Sequence, residues 1–491
     1  MKLPTDIYAV ESVRAIDRTA IDAAGIAGYT LMTRAAEAAL DAALNKYPQA
    51  ARWQVICGSG NNGGDGYVLA RLAAARGIDV AVLAMSSPES LQGDAATAWR
   101  NFVAAGGAVE AYAGALDASA ELLVDALLGS GLEREVAGPY AELVGAINRH
   151  AASTLALDIP SGLHADTGAV MGTAVRADLT VTFVGLKCGL FLGGGPACVG
   201  ELIFADLGIP ADCYAAQSPA LRRIGSELIS SLLPRRPRDA HKGDFGHVLI
   251  VGGGPGMPGA VRLCGEAALR SGAGLVSIAT HPAHHATIAS GRPELMCLPV
   301  ESAAELEPLV ARATTIAVGP GLGTGDWSRS MFDAVMEAAT PLVVDADALN
   351  LLCESGLRRP DWVLTPHPGE AARLLECTTS EVQAERQLAL TQIAKRYGGS
   401  AVLKGAGSLV TAAAGANWLC TAGNPGMAAP GMGDVLTGII AAMRAQGLSA
   451  EMAAVAGVYL HARAGDAAAR AGERGLLASD LFQELRAWVN P

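Results

Sequence analysis

WQVICGSGNNGGDGYVLAR, residues 53–71, passes from an apolar run into a glycine-rich turn and out into a helical pattern. An apolar run that closes on glycines and then becomes helical is the strand–turn–helix step of an α/β protein. The glycines allow a tight turn and let backbone N–H groups approach a ligand at the start of the helix YVLARLAAARG. GSGNNG formally contains GxGxxG, a pattern shared by many turns that hold no dinucleotide. Asn61, Asn62 and Asp65 follow where a pyrophosphate loop prefers small side chains, and no acid ends the next strand at the usual interval.

The same step repeats outward from this stretch. Residues 11–24 and 30–46 have helical apolar spacing, and WQVICG, VAVLAM, ELLVDALLG, STLALDIPSG and DLTVTFVG read as successive strands. Short strands alternating with Ala-rich helical segments predict a parallel sheet whose ligands gather at the carboxyl ends of the strands. LPRRPRDAHKGDFG, residues 233–246, interrupts the pattern with prolines and basic residues. Beyond it come HVLIVGGG, GLVSIAT, TIAVGPGLG, PLVVDADALN, WVLTPHPGE and SAVLKGAGSLV, with loop motifs unlike those of the first half. The expectation is two unlike α/β domains, residues 1–220 and 242–491, joined by a connecting segment at 221–241.

Size and composition agree. A chain of 491 residues exceeds what one core organises, and 51% hydrophobic with 4% aromatic residues suits Ala/Val/Leu-rich α/β layers. A formal net charge of −12 disfavours nucleic acid and anionic lipid as partners, so an anionic ligand must be held by local dipoles and a few placed cations. Nine cysteines without a CxxC pair read as reduced thiols, and the N-terminus has no apolar targeting region, which together predict a cytoplasmic protein without a membrane span. HPAHH, residues 281–285, resembles a metal cluster but has irregular spacing and no partner Cys; it reads as a solvated loop.

Two further strand ends in the first half carry acids, Asp125 in LVDALLGSGLERE and Asp158 in LALDIPSGLHADTG, the latter followed by Ser161. Carboxylate, amide and hydroxyl oxygens from three loops form either a set of loop caps or an oxygen-only cation site suited to a hard ion. NNGGDGYVLAR, VDALLGSGL, DIPSG and TFVGLKCGL together resemble the NAD(P)H-hydrate epimerase domain, a Rossmann-like fold, across nearly the whole first half. The resemblance implies that Asn61, Asn62, Gly63, Gly64 and Asp65, with the turn Gly129, Ser130, Gly131, Leu132, Glu133, Arg134 and Glu135, contact a hydrated nicotinamide nucleotide. It also implies a potassium ion on Asn62, Asp125 and Ser161, and Asp158 at the substrate. Lys187 is either a second participant or a surface charge at a strand end.

In the second half the most informative segment is GNPGMAAPGMGDVLTGIIAAM, residues 423–443. Gly431 and Gly433 permit an N–H-rich turn, and Asp434 then opens an apolar helix. Such a turn stabilises charge on a transferring phosphoryl group while the acid takes the acceptor's proton; alternatively Asp434 simply caps its helix. Lys404 in VLKGAGSLV, His367 and Glu370 in TPHPGE, Asp345 and Asp347 in VVDADALN, and the loops GPGLG (319–323) and GGGPGMPGA (252–260) point to a nucleotide cleft.

These motifs, in this order, resemble the ADP-dependent NAD(P)H-hydrate dehydratase domain, a ribokinase-like fold. The resemblance implies that Lys404, Gly405, Ala406, Gly407, Ser408 and Gly433 touch the adenine nucleotide. Ala260, Gly321, Gly323, His367 and Asp434 then face the hydrated nicotinamide. Where many relatives have a Thr-Gly-Gly-Thr-like run, this chain reads Ala429, Pro430, Gly431, Met432. The implied chemistry is phosphorylation of the C6 hydroxyl with ADP and magnesium, then loss of phosphate; spacing alone leaves ATP open as donor. A vitamin or sugar kinase with a nucleotide-binding appendage, and a non-catalytic nucleotide sensor, are the competing readings. A homo-oligomer is expected from the habit of soluble enzymes rather than from any residue.

Overall fold

The computed structural model describes residues 3–411 and 417–491, and the chain divides into two compact units, Met1–Arg222 and Arg223–Pro491. The sheet of the first unit is parallel throughout, in the order Val109–Ala111, Asp79–Ala84, Arg52–Cys57, Leu122–Ala126, Ser153–Leu157, Leu179–Phe183, Glu201–Ala205. Strand order therefore reverses between Arg52–Cys57 and Leu122–Ala126, and a crevice opens at such a switch point. Successive side chains alternate faces. Trp53, Val55 and Cys57 join a core with the helices Gly28–Lys46, Asn61–Ala75 and Gly93–Ala104, whereas Ile56 and Leu123 pack with Leu143 and Ile147 of helix Pro139–Arg149. Both faces being covered explains the unbroken apolar strands.

A short strand, Asp6–Tyr8, precedes this sheet in the chain and stands outside it. It pairs antiparallel with Leu221 and Arg222 and parallel with Leu186–Lys187, which fixes the start of helix Val10–Asp22 beside Lys187.

In the second unit the parallel strands run Met296–Pro299, Leu275–Thr280, His247–Val251, Thr315–Val318, Leu342–Val344, Val363–Leu364, Ser400–Leu403. The antiparallel pair Ser408–Val410 and Asn417–Cys420 continues that edge. Helix Met432–Ala445 lies in the core with Pro258–Arg270 and Ala450–Ala468. A Cβ at Gly438 would come within 2.1 Å of the Cys264 carbonyl, so glycine permits the close crossing of the first two. The first part of the segment read as a connection is regular structure: Leu221–Arg223 is a strand and Ser226–Leu232 a helix. Ile224 and Ile229 are buried in the second unit's core, apolar anchors among residues that otherwise read as linker. Among the described residues no helix is long and apolar enough to cross a membrane.

Candidate active sites

At the carboxyl ends of the first unit's strands is a cavity of about 910 Å³. Asn61, Asn62 and Asp65 line it from the glycine turn, Gly129–Arg134 from the next loop, and Asp158 and Lys187 from two further strand ends. Gly63, Gly64 and Glu135 are not in its wall. Instead, a Cβ on Gly63 would sit 2.2 Å from the Gly58 carbonyl, and one on Gly64 would sit 2.7 Å from Met32 Cε, so these glycines let the helix start pack tightly.

Beneath the turn is a cluster of oxygens. Asp125 is fully buried; its Oδ1 accepts from Ser161 Oγ (2.6 Å) and Leu127 N (3.2 Å), and its Oδ2 from Ser161 N (2.8 Å). Burial pushes its carboxyl up to about 6, against these hydrogen bonds. Asn62 donates through Nδ2 to the Leu128 carbonyl (3.1 Å), which also lies 3.1 Å from Ser161 Oγ. Asn62 Oδ1 is buried and has no hydrogen-bond partner among the described residues. An orphaned amide oxygen costs free energy unless something meets it, and beside a buried carboxylate a cation would do so. The donor set, oxygen only, fits a hard cation.

Lys187 is 1% exposed, so it is no surface charge. Its ammonium donates to Asp158 Oδ1, Thr182 Oγ1 (3.1 Å) and the Phe183 carbonyl (2.9 Å). Thr182 Oγ1 and Phe183 N also donate to Asp158 Oδ1, each at 3.3 Å. Asp158 has φ 65°, a left-handed conformation that turns its side chain off the strand end and that surrounding contacts must hold. Asp65 stands well above the carboxylate range, first from burial, then from the charges of Asp158 and Asp17, with Lys187 opposing. Asp17 is raised by burial, opposed by Lys187, with Asp158 and Asp94 adding.

In the second unit Asp345 is the hub. Its Oδ1 accepts from Lys404 Nζ (2.7 Å) and its Oδ2 from Thr437 Oγ1 (2.7 Å). Lys404 also lies 3.6 Å from Glu370, which accepts from the His367 backbone N–H (2.7 Å) while His367 Nδ1 accepts from Gly369 N (3.0 Å). That reciprocal cap fixes the start of helix Pro368–Leu375. Ala346, at φ 50°, sits between two acids that act separately: Asp345 turns to Lys404, and Asp347 Oδ2 accepts from Gly323 N (2.8 Å). A Cβ on Gly321 would lie 3.1 Å from Ala260 Cβ, placing the GPGLG loop beside Ala260, and one on Gly433 would lie 3.4 Å from Lys404 Nζ.

The capping position of helix Met432–Ala445 falls on Gly431, at φ 85°, and no side chain caps it. Asp434 is thus three residues into the helix, free of the cap role. Burial, reinforced by Asp345, opposed by Lys404 and reinforced again by Asp347, pushes its carboxyl up to about 7, the range of a proton acceptor working near neutrality. The Lys404–Ser408 turn is backed by Arg386, whose guanidinium donates to the carbonyls of Leu403 (3.3 Å), Lys404 (3.4 Å) and Gly407 (3.3 Å). The HPAHH histidines serve packing and loop structure: His284 Nε2 accepts from Gly256 N (3.0 Å), and His281 meets Trp327 edge-on. Among the described residues no group of three or more His, Cys, Asp or Glu could hold a metal.

Two family profiles match the chain, "NAD(P)H-hydrate dehydratase" over residues 248–487 and "YjeF-related protein N-terminus" over residues 28–189. The bifunctional NAD(P)H-hydrate repair enzyme of Coxiella burnetii is 49% identical over 99% of this chain and 100% of its own length. That of Escherichia coli is 45% identical over 100% of this chain and 95% of its own. The chain belongs to the bifunctional NAD(P)H-hydrate repair enzyme family. A ribokinase-like protein of Enterococcus faecalis of known structure matches with a TM-score of 0.52 at 29% identity, covering 55% of this chain and 98% of that one. The second unit accordingly has the ribokinase-like fold, and the first is Rossmann-like by its strand order.

Several contacts in the candidate sites escape a reading of the sequence. Thr437 and Asp345 are 92 residues apart, and Arg386 sits in an otherwise ordinary helix; only the fold joins each to its partners. Thr437 does carry a faint signal, since it follows Asp434 by three residues on one helix face. Arg14, Asp17 and Asp94 reach the first cavity from helices whose amphipathic pattern accounts for them equally well as surface residues.

Proposed function

We propose that this chain repairs hydrated NADH and NADPH at two sites. The first unit interconverts the R and S forms at C6; the second converts the S form to the reduced nucleotide, with ADP giving AMP and phosphate. The observation that carries this reading is Asp434, raised to about 7 at the mouth of an uncapped glycine turn beside Lys404, in a chain that matches the repair enzymes over their whole length. Asp434 takes the proton of the C6 hydroxyl as that oxygen attacks the terminal phosphoryl group of ADP, and AMP leaves. The turn's N–H groups and Lys404 stabilise the charge on the phosphoryl oxygens. The ring nitrogen then expels the C6 phosphate, and loss of a C5 proton restores the dihydronicotinamide.

Magnesium, when bound with the nucleotide, neutralises phosphate charge. Because the described residues offer no acidic cage, its ligands would be phosphate and water with at most one or two carboxylates, an arrangement usual for this ion. Asn62, Asp125 and Ser161 would hold potassium in the first unit, supported by the orphaned Asn62 oxygen. A reducing, cytoplasmic setting is supported by nine scattered cysteines without a CxxC pair, and a symmetric homo-oligomer is the expected assembly.

The test supplies purified R or S hydrate with ADP and magnesium and follows absorbance of the reduced nicotinamide. Both epimers should be consumed, with stoichiometric AMP and phosphate. Consumption of neither sinks the proposal, and a phosphorylated product without reduced nucleotide would favour a small-molecule kinase.

A further inference from the structure

Resting on the reading of the first unit as the epimerising site, we propose that Asp17 is a second catalytic acid/base there, serving the face of C6 that Asp158 does not. Helix Val10–Asp22 lies before residue 28, where the matched family profile begins. Its position is nonetheless fixed by the site: Tyr8 pairs with Lys187, Val10 N donates to Asp166 Oδ1 (2.8 Å), and Gly185 leaves room for Tyr8 and Val13. Val13, Arg14, Asp17 and Ile21, spaced three and four apart, then form one stripe of the cavity wall.

Inversion at C6 requires two faces. As the ring nitrogen's electron pair forms N1=C6, the C6–O bond breaks and the hydroxyl leaves as water with a proton from an acid. Water then adds to the other face, losing its proton to a base and returning the electron pair to nitrogen. Atoms and electrons balance, and one proton has passed from acid to base. A single carboxylate beside a ring held in place cannot attend both faces.

The two carboxylates are set differently. Asp158 accepts from Lys187, Thr182 and Phe183, the surroundings of a base. Asp17 is half-buried and, among the described residues, has no side-chain hydrogen bond or ion pair, so no partner competes for its carboxyl. The charged groups facing it are Lys187, Asp158, Asp65 and Asp94, with Arg14 on its own helix. Crowding of acids around one buried lysine favours a retained proton on Asp17, the acid of the pair, while Asp158 is held by its three donors. The reverse reaction exchanges the roles, so each protonation form of the site accepts one epimer.

The experiment uses the full chain without ADP, so that the second unit is silent, and follows conversion of purified R hydrate to S by chromatography across pH. Asp17→Asn should lose about 10²-fold or more of the exchange above the spontaneous rate, with the hydrate's Kd unchanged. It should also lose the high-pH fall that marks a group active when protonated, and Asp17→Glu should restore exchange with that fall displaced. Wild-type exchange and pH profile in Asp17→Asn would overturn the proposal, as would loss of hydrate binding together with no recovery in Asp17→Glu. Absence of exchange in the wild-type chain would sink the underlying reading instead.

Discussion

Asp434 is held where its charge costs the fold and where the proposed reaction needs a proton acceptor. With its carboxyl at about 7 against an ordinary 3.8, the folded chain binds a proton between those values that the unfolded chain does not. Ionisation above about 7 therefore destabilises the fold, and protonation as pH falls through this window relieves the cost. Asp434→Asn keeps the neutral form at every pH. The variant should melt higher than wild type at pH 8, by about 2–4 °C per kcal/mol relieved, and the difference should vanish near pH 4. Its dehydration rate should fall by about 10²-fold or more, while wild-type rate climbs with pH as Asp434 ionises, half-maximal at about pH 7. Calorimetry and initial rates across pH check both. A second residue-scale prediction concerns Asn62. Replacement by Leu removes the orphaned oxygen and the Leu128 hydrogen bond, the latter worth about 0.5–1.5 kcal/mol. Epimer exchange that responds to potassium in wild type should lose that response in Asn62→Leu, read by titrating potassium against lithium.

At the scale of elements, glycine turns stand at helix starts, and two glycines in the turn that opens helix Met432–Ala445 fail in different ways. Gly431 has φ 85°, and a Cβ there would meet Leu263 at 2.6 Å, so Gly431→Ala strains the backbone and displaces the helix start. Gly433 has no such φ, and its Cβ would meet only Lys404 Nζ and Asp345 Oδ2 at 3.4 and 3.7 Å. Gly433→Ala should therefore melt within about a degree or two of wild type yet raise the KM for ADP roughly tenfold, whereas Gly431→Ala should lower Tm as well. Paired melting and ADP-titration curves distinguish them. These turns were plain in the sequence, because glycines after an apolar run have few other uses. Their supports were not: Lys404 meets Asp345 across 59 residues and Arg386 braces the turn through backbone carbonyls, which leave no trace in composition. The division after Arg222 falls within the segment read as a connection, whose basic and proline residues mark loops well but conceal the buried Ile229 of a short helix.

For the whole molecule, two compact units with separate cores imply separable defects. Asp158→Asn is a suitable probe of the first, since Asn tolerates the left-handed backbone found there, so that the carboxylate is removed and the turn kept. Given ADP, magnesium and S hydrate, this variant should match wild type within about twofold, because the second unit has its own core and site residues. Given only R hydrate, it should slow to the spontaneous exchange rate, as the second unit receives nothing else to consume. Asp434→Asn should show the complementary defect, exchanging epimers freely and yielding no reduced nucleotide. Mixing the two variants should then restore consumption of R hydrate, each chain supplying the unit the other lacks, with the S epimer travelling through solution. If the mixture stays as slow as Asp158→Asn alone while each variant keeps its own intact activity, the S epimer does not pass between molecules and the two sites must act within one chain.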